Sequence, residues 1–142
     1  MRRVFSRLHS STPQMIHVSF RSNRTNQLVT IQEPSTSTRS LLELTHQYDA
    51  KSDPSQIIGL EGACDGSCAC STCHIILPKE IYEKCIEPTE EELDMLDLAY
   101  GCTETSRLAC QLKCTPVLHN VVINVPKETR NMSVDGYIPK PH

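Results

Sequence analysis

The spacing of four cysteines constrains this chain more than any other feature. Cys64, Cys70 and Cys73 fall in one short stretch as C-x5-C-x2-C, and Cys110 follows 37 residues later. Three thiols on one loop and a fourth from a distant part of the chain suit a binuclear iron–sulfur cluster. Each iron is tetrahedral and takes two thiolates besides the bridging sulfides, so one loop can supply three ligands while the fourth ties that loop to the fold. The plant-type spacing is C-x4-C-x2-C…C, one residue shorter in the first gap. Gly62, Ala63, Gly66, Ser67, Ala69 and Ser71 are all small. Small side chains let backbone N–H groups approach the sulfurs, and such hydrogen bonds favour the reduced, more negative cluster.

Other pairings exist. The chain has eight cysteines. Cys68-x4-Cys73 makes Cys68 a competitor for a ligand role, and Cys70-x2-Cys73 with Cys110-x3-Cys114 has the spacing of a Cys₄ zinc site. A disulfide framework needs an oxidising compartment. The start of the chain points away from one. Residues 1–32 hold Arg2, Arg3, Arg7, Arg21 and Arg24 and no acid. Serine and threonine are frequent there, and Val4, Phe5 and Leu8 can line one helix face. Residues 1–14 read as a mitochondrial targeting segment rather than a secretory signal, which needs an apolar stretch. A matrix address is reducing and favours metal ligation. No run of 18 apolar residues is present, so no membrane span is expected. Residues 1–14 carry three arginines and no acid; the remainder has 11 basic and 17 acidic residues, a net charge of −6. That balance argues against nucleic acid as a partner.

With 142 residues, one domain is expected, over 15–126, with a polar tail at 127–142. There is no tryptophan and only two phenylalanines, so the core must rest on aliphatic side chains. Residues 15–20 and 28–32 alternate as the two strands of a β-hairpin across polar turn formers. Ser40 with Glu43 forms a capping box opening a helix over about 40–49. Residues 59–73 are a loop, and 74–77 a brief strand stopped by Pro78. Thr89 with Glu92 reads as a second capping box, opening a helix over about 90–99. Residues 107–112 and 117–125 read as strands. The sum is an α+β domain.

Nine acids and one lysine lie between Glu80 and Glu104. On the helix opened by Thr89, Glu90, Asp94 and Asp97 share one face beside an apolar one made by Leu93, Leu96 and Tyr100. Such a face is a solvated, well-capped helix surface, or a docking surface for basic partners that come and go quickly. His74 directly follows a candidate ligand; tuning the cluster and relaying protons are its functional alternatives, and a structural hydrogen bond, with Arg107 as a candidate partner, is the expectation. His46 and His119 carry no distinguishing pattern. No nucleophile–base pair, phosphate-binding glycine loop or paired catalytic carboxylates stands out, so the chain reads as a non-enzyme.

Three segments are familiar as a set. Cys64-Asp-Gly-Ser-Cys-Ala-Cys-Ser-Thr-Cys-His74 resembles the cluster loop of adrenodoxin-type mitochondrial [2Fe–2S] ferredoxins, as do Asp94-Met-Leu-Asp-Leu-Ala-Tyr100 and Ser106-Arg-Leu-Ala-Cys-Gln111. The resemblance covers residues 15–142 in order and spacing. It implies a β-grasp ferredoxin fold, a [2Fe–2S] cluster on Cys64, Cys70, Cys73 and Cys110, and one-electron transfer in the mitochondrial matrix. It also implies a flavoprotein ferredoxin reductase using NADPH as the electron source. Asp94 and Asp97 match acids that the family uses for partner contact, with Glu90 beside them. Cys68 and Cys114 stand where the family more often has an apolar residue, which fits buried thiols behaving as small hydrophobes. Cys85 and Cys102 match no ligand position and read as ordinary thiols. The ending, Thr129 to His142, is similar to that of ferredoxins serving iron–sulfur assembly, whose partners are the iron–sulfur scaffold and cysteine desulfurase complex. A mitochondrial cytochrome P450 is the alternative acceptor, and a zinc-stabilised binding module the distant one. The plant-type range suggests a potential of about −400 mV.

Overall fold

The computed structural model describes residues 12–62, 72–99 and 101–127. The expectations for the targeting segment up to residue 11, for Cys64, Cys68 and Cys70, for Tyr100 and for the tail from 128 lie outside the described residues.

Alternation builds the first hairpin. β1 (Met15–Ser22) buries Ile16, Val18, Phe20 and Ser22 on one face, and β2 (Leu28–Pro34) buries Val29, Ile31 and Glu33. Two-residue periodicity on a pleated strand puts each set on the same side. The strands pair antiparallel with Val18 opposite Ile31. Their turn closes through Asn26, which adopts a left-handed φ of 57° and donates its N–H to the Ser22 carbonyl at 2.7 Å. Asparagine tolerates that backbone region better than most residues.

Helix α1 (Leu41–Lys51) opens with both halves of the expected capping box. Ser40 Oγ accepts from the Glu43 N–H at 3.2 Å, and the Glu43 carboxylate accepts from the Ser40 N–H at 2.7 Å. Leu41, Leu42, Leu44 and Thr45 are buried, the three leucines in the hydrophobic core. Ser40→Ala is expected to cost about 1 kcal/mol, read as a lower thermal midpoint.

The remaining strands are shorter than the sequence suggests. β3 (His74–Ile76) pairs antiparallel with β4 (Ser106–Leu108) and with β5 (Val121–Val125), and β5 runs parallel to β1. The five described strands form one sheet in the order β2-β1-β5-β3-β4. This mixed sheet, with its helices, is the β-grasp arrangement. The expected strand at 107–112 ends at Leu108, because its partner β3 runs out there; residues Ala109–Gln111 coil into a single 3₁₀ turn. The expected strand at 117–125 starts only at Val121. Pro116 sets the φ of a 3₁₀ turn over Pro116–Leu118, and Asn120 then takes a left-handed φ of 59°.

Helix α2 (Lys79–Lys84) follows Pro78 directly and was not expected from the pattern. Helix α3 (Glu90–Asp97) begins at Thr89, whose Oγ1 accepts from the Glu92 N–H at 3.2 Å. The second capping box is only half built, since the Glu92 carboxylate faces the core. Leu96 is buried, but Leu93 is 45% exposed, so the apolar face assigned to this helix is narrower than the sequence implies. Among the described residues no helix is long and apolar enough to cross a membrane.

Candidate metal centre

The β3–β4 pair fixes where two candidate ligands emerge. Cys73 precedes β3, and its carbonyl accepts from the Ala109 N–H at 2.9 Å. Cys110 is the next residue, in the 3₁₀ turn that follows β4. The two thiol-bearing residues therefore leave the same end of one short ladder, although 37 residues separate them in sequence. Cys73 is fully buried and Cys110 half-buried. The Gln111 side-chain amide donates to Cys110 Sγ at 3.4 Å, a contact that suits an electron-rich sulfur.

The ladder end is braced twice. His74 Nε2 lies 2.6 Å from Ser106 Oγ, and that hydroxyl accepts from the Thr103 N–H at 2.8 Å. The His74 hydrogen bond anticipated from sequence thus runs to Ser106, while Arg107 is engaged by Glu92. Arg107 Nε and Nη2 donate to the two Glu92 oxygens at 2.8 and 3.0 Å, and Arg107 Nη1 donates to the Ile86 carbonyl. Both side chains are almost fully buried, at 2% and 1% exposure. Glu92 Oε1 also accepts from the Leu108 N–H at 2.9 Å. β4 is an edge strand, so that N–H lacks a ladder partner on its outer side, and a carboxylate from α3 takes the place of one. The Arg107 guanidinium also stands 5.9 Å from the centre of the Tyr82 ring.

Residues 58–62 lead into the loop along the chain. Ile58 and Leu60 are buried, and Gly59 has a φ of 73°. A Cβ on Gly62 would stand 2.7 Å from Leu42 Cδ2 and 3.1 Å from His46 Cε1. Gly62 is therefore small because α1 lies against it, a reason distinct from access to sulfur.

The other cysteines behave differently. Cys114 belongs to the hydrophobic core, and burial, with the Glu33 carboxylate adding to it, pushes its thiol up to about 11. A thiol held protonated among apolar neighbours acts as a small hydrophobe. Burial also pushes the Cys85 thiol up, against the pull of Arg107. Cys102 is exposed. Glu90, Asp94 and Asp97 are all exposed on α3. Among the described residues no group of three or more histidines, cysteines or acids forms a metal cage; of the four candidate ligands, Cys73 and Cys110 are described. Their chemistry and common location fit a thiolate-bound cluster, which Cys73 and Cys110 would hold from the sheet side.

Two further polar side chains of α1, His46 and Asp49, bond to the segment at 58–60. His46 Nε2 donates to the Leu60 carbonyl at 3.0 Å. Asp49 accepts from the Ile58 and Gly59 N–H groups at 2.7 and 3.0 Å. The available signal was helical spacing, since Leu42, His46 and Asp49 fall at i, i+4 and i+7.

Residues 29–115 match the family of 2Fe-2S iron-sulfur cluster binding domains. Adrenodoxin-like protein 1, mitochondrial, of Arabidopsis thaliana is 54% identical over 104 residues, or 72% of this chain. The chain spans 49%, about half, of that relative's length. The crystal structure of the ISC-like [2Fe-2S] ferredoxin FdxB of Pseudomonas putida is 32% identical, with a TM-score of 0.64 over 82% of this chain and 97% of that one. Putidaredoxin, a Pseudomonas putida protein, is 26% identical in its covalent complex with putidaredoxin reductase, with a TM-score of 0.60 over 79% of this chain and 99% of that one. A thiol pair at one ladder end, a β-grasp sheet and these likenesses agree, and the chain belongs to the [2Fe–2S] ferredoxins of the adrenodoxin type.

Proposed function

We propose that the chain is a one-electron carrier of the mitochondrial matrix, taking electrons from an NADPH-dependent flavoprotein ferredoxin reductase and delivering them to the iron–sulfur assembly machinery. Its cluster sits on Cys64, Cys70, Cys73 and Cys110. The observation that carries this reading is the placement of Cys73 and Cys110 at one end of the β3–β4 ladder, joined by the Ala109 N–H to Cys73 carbonyl bond. The family match supports the cofactor, and the putidaredoxin–reductase complex supports a reductase as donor. The adrenodoxin-like protein of Arabidopsis is described as mitochondrial, which agrees with the arginine-rich residues 1–14 as a targeting segment. The ending at Thr129–His142 supports assembly as the destination. Domain limits of 15–126 with a tail at 127–142 follow from the same reading.

When bound, the cluster supplies a reversible one-electron couple. The chain's own residues do the rest. Cys73 is held out of water by the core. The Gln111 amide donates to Cys110 Sγ, which stabilises added negative charge. The Arg107–Glu92 pair and the His74–Ser106 contact keep the ladder end rigid, so little reorganisation accompanies electron gain. Glu90, Asp94 and Asp97 form an exposed anionic face on α3 that steers basic partners.

Stopped-flow reduction by ferredoxin reductase and NADPH tests the donor. With Asp94→Asn and Asp97→Asn combined, the rate at low ionic strength is expected to fall about tenfold, and the gap to close in high salt. An unchanged rate at low salt removes α3 as the docking face. Supplying the reduced protein to a scaffold–desulfurase assembly reaction and to a mitochondrial cytochrome P450 tests the destination. Faster turnover with the P450 contradicts the assembly role.

A further inference from the structure

Helix α1 presents Leu42, His46 and Asp49 at i, i+4 and i+7, so the three share one face. That face grips four of the five residues from 58 to 62. The Asp49 carboxylate takes the Ile58 N–H on one oxygen at 2.7 Å and the Gly59 N–H on the other at 3.0 Å. His46 Nε2 meets the Leu60 carbonyl at 3.0 Å; a carbonyl only accepts, so Nε2 carries the proton. Leu42 and the His46 ring close over Gly62 with no room for a Cβ. Between these bonds, Ile58 and Leu60 drive their side chains into the core, and Gly59 supplies a left-handed φ of 73°. The segment is thus held by side-chain hydrogen bonds where a strand would use a ladder. Cys64 is only two residues beyond Gly62.

We propose that His46 and Asp49 are positioning residues for the cluster: together they clamp the backbone at 58–60 and so fix the point from which the chain reaches Cys64. This rests on the reading of Cys64 as a ligand. The clamp acts through backbone placement, not through contact with iron. Losing it leaves the buried Leu60 carbonyl, or the Ile58 and Gly59 N–H groups, without a partner, and the backbone shifts to find water. The first thiolate is then misplaced and the cluster is released more readily.

The test is chelator-driven bleaching of the holoprotein, followed at visible wavelengths, with thermal midpoints measured alongside. His46→Leu keeps bulk but removes the donor, and is expected to bleach about tenfold faster than wild type. Asp49→Ala is expected to do the same, with faster hydrogen exchange at the Ile58 and Gly59 amides. His46→Gln restores an N–H donor at similar reach and is expected to bleach within about twofold of wild type. Val121→Ala, a core truncation at the start of β5, serves as the control. It lowers the thermal midpoint but is expected to bleach at the wild-type rate. The proposal is overturned if His46→Leu bleaches like wild type, if His46→Gln does no better than His46→Leu, or if Val121→Ala bleaches as fast at a matched midpoint. Cys64→Ser separates this from the ligand reading. If that variant keeps full absorption, the ligand reading fails and the clamp with it. If it loses the cluster while His46→Leu behaves as wild type, only the clamp is wrong.

Discussion

Cys73→Ser and Cys110→Ser are each expected to yield protein that has lost nearly all visible absorption, whereas Cys114→Ser stays brown. A serine hydroxyl is a far poorer ligand than a thiolate, because it holds its proton at neutral pH and iron–sulfur clusters are held by thiolates. Cys73 and Cys110 share the end of the β3–β4 ladder. Cys114 packs in the core with its thiol pushed up to about 11, so a change there is a packing change. Burying a hydroxyl in its place costs about 1–3 kcal/mol of stability and leaves the cluster bound. Absorption spectra of the three variants, prepared side by side without oxygen, decide the matter. A bleached Cys114→Ser with a brown Cys110→Ser would reverse the assignment. The Cys73 and Cys110 variants are also expected to lower the thermal midpoint, since ligation of a metal would contribute folding free energy.

The second large effect concerns the ion pair behind the ladder. Arg107→Ala is expected to cost about 3–5 kcal/mol, a fall of roughly 12–20 °C in thermal midpoint for a domain of this size. The cost comes from what is left behind. Glu92 is 1% exposed, and without Arg107 its carboxylate keeps only the Leu108 N–H from the present set of bonds. Arg107→Lys recovers little, because an ammonium group cannot reach both Glu92 oxygens and the Ile86 carbonyl as the planar guanidinium does. Glu92→Leu with Arg107→Met removes both charges and is expected to regain more than half of the loss. Differential scanning measurements on the holoproteins check the series. Arg107→Ala within about 1 kcal/mol of wild type would mean that the pair contributes little and that the ladder end is held by other contacts.

Much of this architecture was legible because local chemistry and tertiary structure agree. The β1–β2 hairpin reads from alternation, and α1 reads from Ser40 and Glu43, whose capping box forms in full. The cysteine spacing pointed to four ligands before any fold was in hand. What could not be read depended on distant partners. Thr89 and Glu92 carry the same capping signature as Ser40 and Glu43, yet Glu92 turns inward, because an edge strand with an unpaired N–H and a buried arginine outbid a local cap. β4 is shorter than its hydrophobic pattern because its partner β3 ends opposite Leu108, and β5 because the turn at Pro116–Leu118 and the left-handed Asn120 break the extended run before Val121. Leu93 looked like a core residue by periodicity, but it is 45% exposed. His46 and Asp49 left no trace in composition, because their role is defined by a segment 9 to 14 residues away that only the folded backbone brings back to α1.

Iron and acid-labile sulfide analysis of the anaerobically purified chain decides whether four thiolates hold a binuclear cluster. Brown protein with two irons and two sulfides per chain is expected. Colourless protein from iron-replete cells, or protein holding zinc and no sulfide, would contradict it.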